Sequence, residues 1–499
     1  MSGLTSGVKV SSLDDIGLTA LEQQLRTDLE CLCCPPTNWV PAMQAKHSAQ
    51  TDVLIVGGGM CGLLVWFALR CAGIHNVRII DKNAFGQEGP WVSYARMQTL
   101  RSPKHLTGPA YGIGALTFQA WYRAQFGVEN WDALDKIPRT MWMDYLRWYR
   151  QALEIPVENN IALTRVASSD GLLTLTLEGS AQETVTARKL IYATGRDGIA
   201  RANIPDFIKG LDSESWAHSS HDIDFDALRG KRVVVVGVGA SAVDNAAEAL
   251  EAGAAEVRHL IRRRHMPTIN KMMGIGSFGF MAGFADLPDE WRWRFMHYSF
   301  ATQTPSPRGS TLRVSQHDNA YFHFNKSIDS VCSAHGADEG LDIRFTDGTH
   351  LSTDYIILGT GFSTDPMARS ELGEAASRIL LWEDVYRPPI DEQNEDLGRF
   401  PYLAADFSFR EKHESDASWL QHVHCFNYGA TASLGKVSGD IPGISEGARW
   451  LAKALASRLY QEDIDVHWQG MQDYVKPELQ GDEWEASELP ESSHVRKVV

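Results

Sequence analysis

Thr51-Asp52-Val53-Leu54-Ile55-Val56-Gly57-Gly58-Gly59-Met60-Cys61-Gly62 is the stretch on which the fold turns. Its first half is a short apolar run, the pattern of a buried strand. It runs without a break into a G-x-G-x-x-G. In that spacing the first glycine makes a tight turn and the second lets backbone approach a pyrophosphate. The third lets the following helix pack against the strand. A helical pattern from Cys61 to Cys71 follows, then a second apolar strand, Val77 to Ile80, closed by Asp81. Together these make a β-α-β unit of about 30 residues. Phosphates are expected on the free N–H groups at the helix start. Asp81, 24 positions beyond Gly57, is expected to accept hydrogen bonds from ribose hydroxyls. The candidate cofactor contacts here are Gly57, Gly59, Gly62 and Asp81.

The same grammar returns 180 residues later. Arg232 to Val236 is an apolar strand, and Gly237-Val238-Gly239-Ala240-Ser241-Ala242 opens a helix running to about Ala252. Val257 to Ile261 is the next strand. Alanine at the last motif position still allows close packing. Gly237, Gly239, Ser241 and Ala242 are the candidate contacts. This second strand ends in Arg262-Arg263-Arg264 rather than an acid. A carboxylate would repel an adenosine 2′-phosphate, whereas a guanidinium matches it. Arg262 and Arg263 are therefore assigned to NADPH. FAD, which has no 2′-phosphate, suits the first cradle. Two unlike cradles in one chain imply a hydride path from nicotinamide to flavin.

The expected fold is α/β, with two Rossmann-like dinucleotide-binding domains of the three-layer FAD/NAD(P)-binding kind, the NADPH domain inserted in the FAD domain. Residues 1–50 read as a helical extension, with Leu18, Leu21, Leu25 and Leu29 at helical spacing before Pro35-Pro36. Residues 51–215 are the first part of the FAD domain. Residues 216–354 are the NADPH domain with an insertion at about 266–330. Residues 355–475 complete the FAD domain, and 476–499 are an acidic tail.

Of the 499 residues 43% are hydrophobic, enough for more than one core. A net charge of −16 argues against nucleic acid or an anionic membrane as partner. No apolar run reaches the roughly 18 residues of a membrane-spanning helix, and the N-terminus lacks a secretory pattern. These features place the protein in the cytoplasm, acting on a small molecule, with homo-oligomerisation left open. The seven cysteines are odd in number and irregularly spaced, so they read as free thiols, including the Cys31/Cys34 C-x-x-C. His422 and His424 would share a strand face, but no third and fourth ligand accompanies them, so no metal is expected.

The chain resembles the class B flavoprotein monooxygenases, which include flavin-containing, Baeyer–Villiger and N-hydroxylating enzymes. The similarity covers about residues 51–260 and 340–460. Ala193-Thr194-Gly195 resembles the family's link between domains, and Leu358-Gly359-Thr360-Gly361 its return crossing. Gly89-Pro90-Trp91 resembles a Gly-Gly-x-Trp, and Asn427-Tyr428-Gly429 a final FAD-contacting segment. Trp91, Thr194, Gly195, Gly361 and Gly429 are the FAD contacts this implies. The family's F-x-G-x-x-x-H-x-x-x-[WYF] is not matched: Phe207, Gly210 and His218 occur in order, but at other spacings, and Asp222 stands at the closing aromatic.

The resemblance implies an FAD-containing, NADPH-dependent monooxygenase that transfers one atom of O2 through a C4a-(hydro)peroxyflavin by N- or S-oxygenation or Baeyer–Villiger insertion. The alternative is an FAD/NAD(P)H-dependent reductase without oxygen insertion. No acid–base pair is required of the protein. Arg101, Lys104 and His218 are the candidates for a direct part in the chemistry. The glycine-spaced apolar stretch from Met272 to Phe280, with Trp291 to Tyr298 behind it, reads as either a pocket lid or a subdomain core.

Overall fold

The computed structural model describes residues 17–42, 50–196, 198–334, 340–413 and 417–489. The expected polar start at residues 1–16 and the end of the acidic tail from residue 490 lie outside the described residues. Helix α1 (Leu18–Cys31) buries Leu21 and Leu25 on the main core, as the leucine spacing predicts. Strand β1 (Gln50–Val56), α2 (Met60–Cys71) and β2 (Val77–Asp81) form the first β-α-β unit. Helices α3 (Phe118–Phe126), α4 (Val128–Ala133) and α5 (Arg139–Ala152) follow, then β3 (Val157–Asn159), β4 (Ala162–Ser169), β5 (Leu172–Glu178) and β6 (Thr184–Gly195).

A short strand β7 (Ala200–Ala202) leads to β8 (Trp216–His218). The second unit is β9 (Arg232–Val236), α6 (Ala240–Glu251) and β10 (Glu256–Ile261). Helices α7 (Phe278–Gly283), α8 (Asp289–Thr302) and α9 (Arg308–Ser315) precede β11 (Ala320–Phe324), β12 (Ile328–Ser333), β13 (Leu341–Phe345), β14 (His350–Thr353) and β15 (Tyr355–Leu358). The chain returns through β16 (Phe362–Thr364), α10 (Trp382–Val385) and α11 (Glu395–Gly398). It ends in β17 (Val423–Asn427), α12 (Thr431–Leu434), α13 (Ile444–Glu462) and α14 (Ile464–Asp473).

The larger sheet has the order β3-β2-β1-β6-β5-β4, with β17 also on β6. The length of β6 explains the double pairing. Its first half takes β5 antiparallel at Thr184 to Ala187, and its second half takes β17 parallel from Leu190 to Gly195. Residues 187 to 193 of β6 are all buried, as a strand covered on both faces requires. Helix α13 lies against α2, burying Ile444, Ala448, Leu451, Leu455 and Leu459 at steps of three and four. The smaller sheet, β11-β10-β9-β15-β8, is wholly parallel. The chain passes between the two sheets twice, and the two crossings pair as the ribbon β7–β16.

Four expectations change. The boundary set before Tyr355 falls one strand early: β15 lies between β9 and β8, so the second sheet keeps it and the return begins at Gly359. The insertion ends before Ala320, because β11 is an edge strand beside β10 and only the α7–α9 region is extra. Cys34 and Cys71, read as free thiols, form a disulfide that joins the segment after α1 to the end of α2. Their spacing along the chain carries no sign of this, since the contact comes from α1 docking on the core; Cys31 is free and exposed. His422 sits in a turn before β17, with Nδ1 2.8 Å from the Lys189 ammonium, and does not share a strand face with His424.

Two histidines are sealed in the sheets. His259 and His424 are held down to about 4 by burial, against an ordinary value of 6.5. Both are neutral in the folded chain, whereas the unfolded chain takes up protons below 6.5. Stability is therefore present above 6.5 and is lost as pH falls from there toward about 4, by about 1.4 kcal/mol per pH unit for each group. Thermal melts across that window are expected to fall, and a His424→Gln variant to fall less steeply. An unchanged slope in the variant would rule out the burial of a neutral imidazole.

Candidate active site

At the end of β1 the backbone turns at Gly57, whose φ of +108° favours glycine. The Gly57 N–H donates to the Ile80 carbonyl at 2.8 Å. A Cβ on Gly62 would stand 1.8 Å from the Gly57 oxygen, so α2 is pressed directly on the turn. A Cβ on Gly58 would meet Val157 at 2.6 Å, yet one on Gly59 would meet nothing closer than 3.8 Å. The cradle is thus closed at its floor and open where α2 begins. Gly59 caps that helix without a side chain, which leaves its first amides and its positive dipole end for an anion. This shape fits the diphosphate of FAD.

Asp81 is buried beside the cradle and accepts the N–H groups of Gly58 and Asn83, each at 2.7 Å. It braces the turn, and each oxygen keeps a lone pair for a ribose. Sequence reasoning missed its neighbour Glu88, only 3% exposed. Glu88 accepts Arg150 at 2.8 Å, Asn159 at 2.7 Å and the Gly86 N–H at 2.8 Å. A small cavity bounded by Gly58, Gly59, Phe85, Glu88, Arg147 and Arg150 lies there. The arginines come from α5, far along the chain, so no local motif announces them.

Trp91 is half-buried and meets Trp142 edge-on at 6.3 Å. Thr194, next to last in β6, donates to the Gly198 carbonyl at 3.1 Å, and Gly195 has φ +70°. Asn427, fully buried, donates to the Tyr192 carbonyl at 3.1 Å and accepts the Gly429 N–H at 2.9 Å. These contacts bring the ends of β6 and β17 together next to the Gly57 turn. Asn427 carries this joint, and its sequence context marked only Gly429.

The second cradle repeats the first. Gly237 has φ +128° and donates to Leu260 at 3.0 Å. A Cβ on it would meet the Gly359 oxygen at 2.4 Å, while Gly239 caps α6 without a side chain. Ala242 is buried against Gly359, and Ser241 lies exposed in the first turn of α6. His259 donates from Nε2 to the Gly237 carbonyl at 2.6 Å and holds this turn, another contact without a local signal. The arginines after β10 divide their tasks. Arg263 donates to the Gln303 amide oxygen and the Ala301 carbonyl, each at 3.0 Å, and so ties down the end of α8. Arg262 and Arg264 are exposed and have no ion-pair partner among the described residues.

The three candidates for chemistry separate. Lys104 is committed locally, donating to the Trp131 carbonyl at 2.6 Å with its ammonium over that ring. His218 is 0% exposed: Nε2 donates to the Gly361 carbonyl at 3.0 Å, and Nδ1 accepts the Ser220 N–H at 3.2 Å. Burial lowers its pKa, so it stands as a neutral brace on the return crossing. Arg101 reaches across to the insertion and donates to the Pro305 carbonyl at 2.7 Å. Arg313 of α9 clasps the same loop, donating to Glu248 at 2.9 Å, Glu251 at 2.6 Å and the Arg96 carbonyl at 3.3 Å. The insertion is a packed subdomain: Phe284, Trp293 and Met296 share a core with Trp382, Leu397 and Phe400. Arg292 ties it down by donating to the Ser433 carbonyl at 2.9 Å.

Two glycine cradles, each at the carboxyl edge of a parallel strand group and joined by a double crossing, define a two-dinucleotide oxidoreductase. Residues 54–273 match the family model described as pyridine nucleotide-disulphide oxidoreductase. The FAD-dependent urate hydroxylase of Xanthomonas campestris pv. campestris is 38% identical over 472 residues, covering 93% of this chain and 98% of its own. Among solved structures, the ornithine N-hydroxylase of Kutzneria sp. 744 superposes with TM-score 0.61 at 16% identity. The L-lysine 6-monooxygenase of Pseudomonas syringae does so with the same two values. Each covers 82% of this chain and 99% of its own, and each shows the shared fold. The chain belongs to the family of the FAD-dependent urate hydroxylase and is a flavin-dependent oxidoreductase.

The cradle geometry makes one residue decisive. Gly62→Ala places a methyl against the Gly57 carbonyl, forcing α2 away from the turn at about 1–3 kcal/mol. The purified variant is expected to carry much less flavin and to melt lower, whereas Gly59→Ala, where space is open, should fold normally. Wild-type flavin content in Gly62→Ala would show that the contact is not required.

Proposed function

We propose that this protein binds FAD in the first cradle and NADPH in the second, and inserts one atom of O2 into a small oxopurine-like heterocycle. The carrying observation is the full-length likeness to a urate hydroxylase, taken with two cradles of unlike polarity. Gly57, Gly59, Gly62, Asp81, Trp91, Thr194, Gly195, Gly361 and Gly429 would hold FAD, with Glu88 and Asn427 bracing them. Gly237, Gly239, Ser241 and Ala242 would hold NADPH, with its 2′-phosphate on Arg262 and Arg264. FAD, when bound, supplies the hydride acceptor and the place where oxygen is activated.

The chain itself positions and encloses. His218 and Asn427 fix the segments that join the two units. Arg313 and Arg101 hold the 95–104 loop against the insertion, and the aromatic group around Trp382 and Phe400 keeps that side dry. Among the wider family's reactions, the relative's name favours hydroxylation of a purine over amine, sulfide or ketone oxygenation.

A reductase of the disulfide kind would need a redox cysteine pair beside the flavin. The bridge Cys34–Cys71 closes the far end of α2, about 16 Å from its start. Cys61, at the near end, is buried alone and pushed up to about 12 by burial, so it is no thiolate. The acidic chain is assigned to the cytoplasm without a nucleic-acid or membrane partner; no described helix is long and apolar enough to cross a membrane.

The protein is expected to purify yellow and to oxidise NADPH in the presence of urate. One atom of ¹⁸O2 should enter the product, and Cys34→Ser with Cys71→Ser should retain that incorporation. A flavin-loaded protein that leaves no ¹⁸O in urate would refute the substrate reading. The double variant Arg262→Glu, Arg264→Glu should lose about tenfold or more of its preference for NADPH over NADH, each tenfold being about 1.4 kcal/mol. An unaltered preference would remove these arginines from the 2′-phosphate.

A further inference from the structure

Helix α8 ends in a strained backbone. Its cap, Gln303, has φ +55° and ψ +137°, a combination that residues with side chains rarely adopt. Such strain persists only where the surroundings hold it in place. Here they do. The Gln303 N–H donates to the Ser299 carbonyl at 3.0 Å and closes the last turn of α8. Arg263, just past β10, donates to the Gln303 side-chain oxygen and to the Ala301 carbonyl, each at 3.0 Å. Two residues on, Arg101 holds the Pro305 carbonyl at 2.7 Å.

The carboxamide of Gln303 is therefore fixed in orientation as well as in place. A guanidinium only donates, so the atom that faces Arg263 is the oxygen and the nitrogen is left for something else. That nitrogen stands at the second cradle. A Cβ on Gly239 would meet Gln303 Nε2 first, at 3.7 Å. Gly239 caps α6 without a side chain, at the point where the helix presents its uncapped amides. Among the described residues no acceptor takes the Nε2 hydrogens. The first cradle has the same feature by other means. A Cβ on Gly59 would meet the Gly89 backbone nitrogen first, at 3.8 Å. Each cap glycine thus has a nitrogen donor beside it, one from the main chain and one from a side chain of the insertion.

We propose that Gln303 binds the NADPH diphosphate, donating from Nε2 to a phosphate oxygen beside Gly239, and that Arg263 is the positioning residue that aims it. A phosphate oxygen is a charged acceptor, which makes a single well-placed N–H an effective contact. The strained cap is then the means by which the insertion reaches the coenzyme. Arg263 leaves the 2′-phosphate, which stays with Arg262 and Arg264. This inference rests on NADPH occupying the second cradle, and it fails separately. If that placement is wrong, the wild-type protein does not bind NADP+. If only this inference is wrong, the wild type binds NADP+ and changes at Gln303 leave the affinity as it was.

The test is calorimetric titration of the FAD-loaded full chain with NADP+ and with NAD+. Both carry the diphosphate and only the first carries the 2′-phosphate. Gln303→Glu is expected to weaken both by about tenfold or more, with their ratio kept within about twofold. Its carboxylate still accepts from Arg263, so a purely structural role would leave binding and melting temperature unchanged. Gln303→Gly relieves the positive φ and is expected to melt no lower than wild type, yet to lose affinity for both coenzymes. Arg263→Gln should also weaken both alike. Unchanged NADP+ affinity in Gln303→Glu overturns the proposal. So does an Arg263→Gln variant that loses NADP+ alone, which would return that arginine to the 2′-phosphate. Flavin content checks the folding of each variant, and should Gln303→Glu fail to fold, Gln303→Gly decides by the same criterion.

Discussion

The contact on which most of the molecule depends is the seating of α2 on the Gly57 carbonyl, with no side chain between them. Because Gly62 has no Cβ, the helix begins at the strand end with its first amides uncapped. That exposes a partial positive charge at one point of the larger sheet, between β2 and β6. Everything around it serves that point. Asp81 ties down the Gly58 amide, Glu88 and the α5 arginines line the small cavity beside it, and α13 presses α2 from behind. The second cradle repeats the device with Ala242 and Gly359 in close contact.

Two such cradles are useful only if they face a common space, and the joint between them is built from polar residues. Asn427 binds the ends of β17 and β6 together. His218, neutral and sealed, holds the Gly361 carbonyl at the return crossing. A buried polar group costs free energy unless satisfied, so each of these side chains fixes its backbone partners in one arrangement. The insertion packs as an aromatic subdomain anchored by Arg292.

Much of this was legible in the chain. Glycine spacing, strand runs and the contrast between Asp81 and Arg262-Arg263-Arg264 are local patterns, and they gave the α/β class and both cradles. The leucine spacing of α1 likewise predicted its buried face. What escaped notice lies where contacts join distant segments. Tyr355 to Leu358 reads as an apolar strand in any sheet, and only its pairing with β9 and β8 assigned it to the second. Lys104 and Arg101 are three residues apart with similar charge, yet Trp131 captures one and the Pro305 carbonyl the other.

The sequence by itself determined the backbone chemistry: where glycine must stand, where helices start, and which strand ends carry an acid or a base. Those properties depend on residues within one β-α-β unit, so short-range order encodes them. Tertiary structure alone decided the partners: Cys34 with Cys71, Glu88 with Arg150, Asn427 with Tyr192, and Arg101 with the Pro305 carbonyl. Side-chain contacts between distant segments depend on how whole sheets and helices pack, and no periodicity in the chain records that.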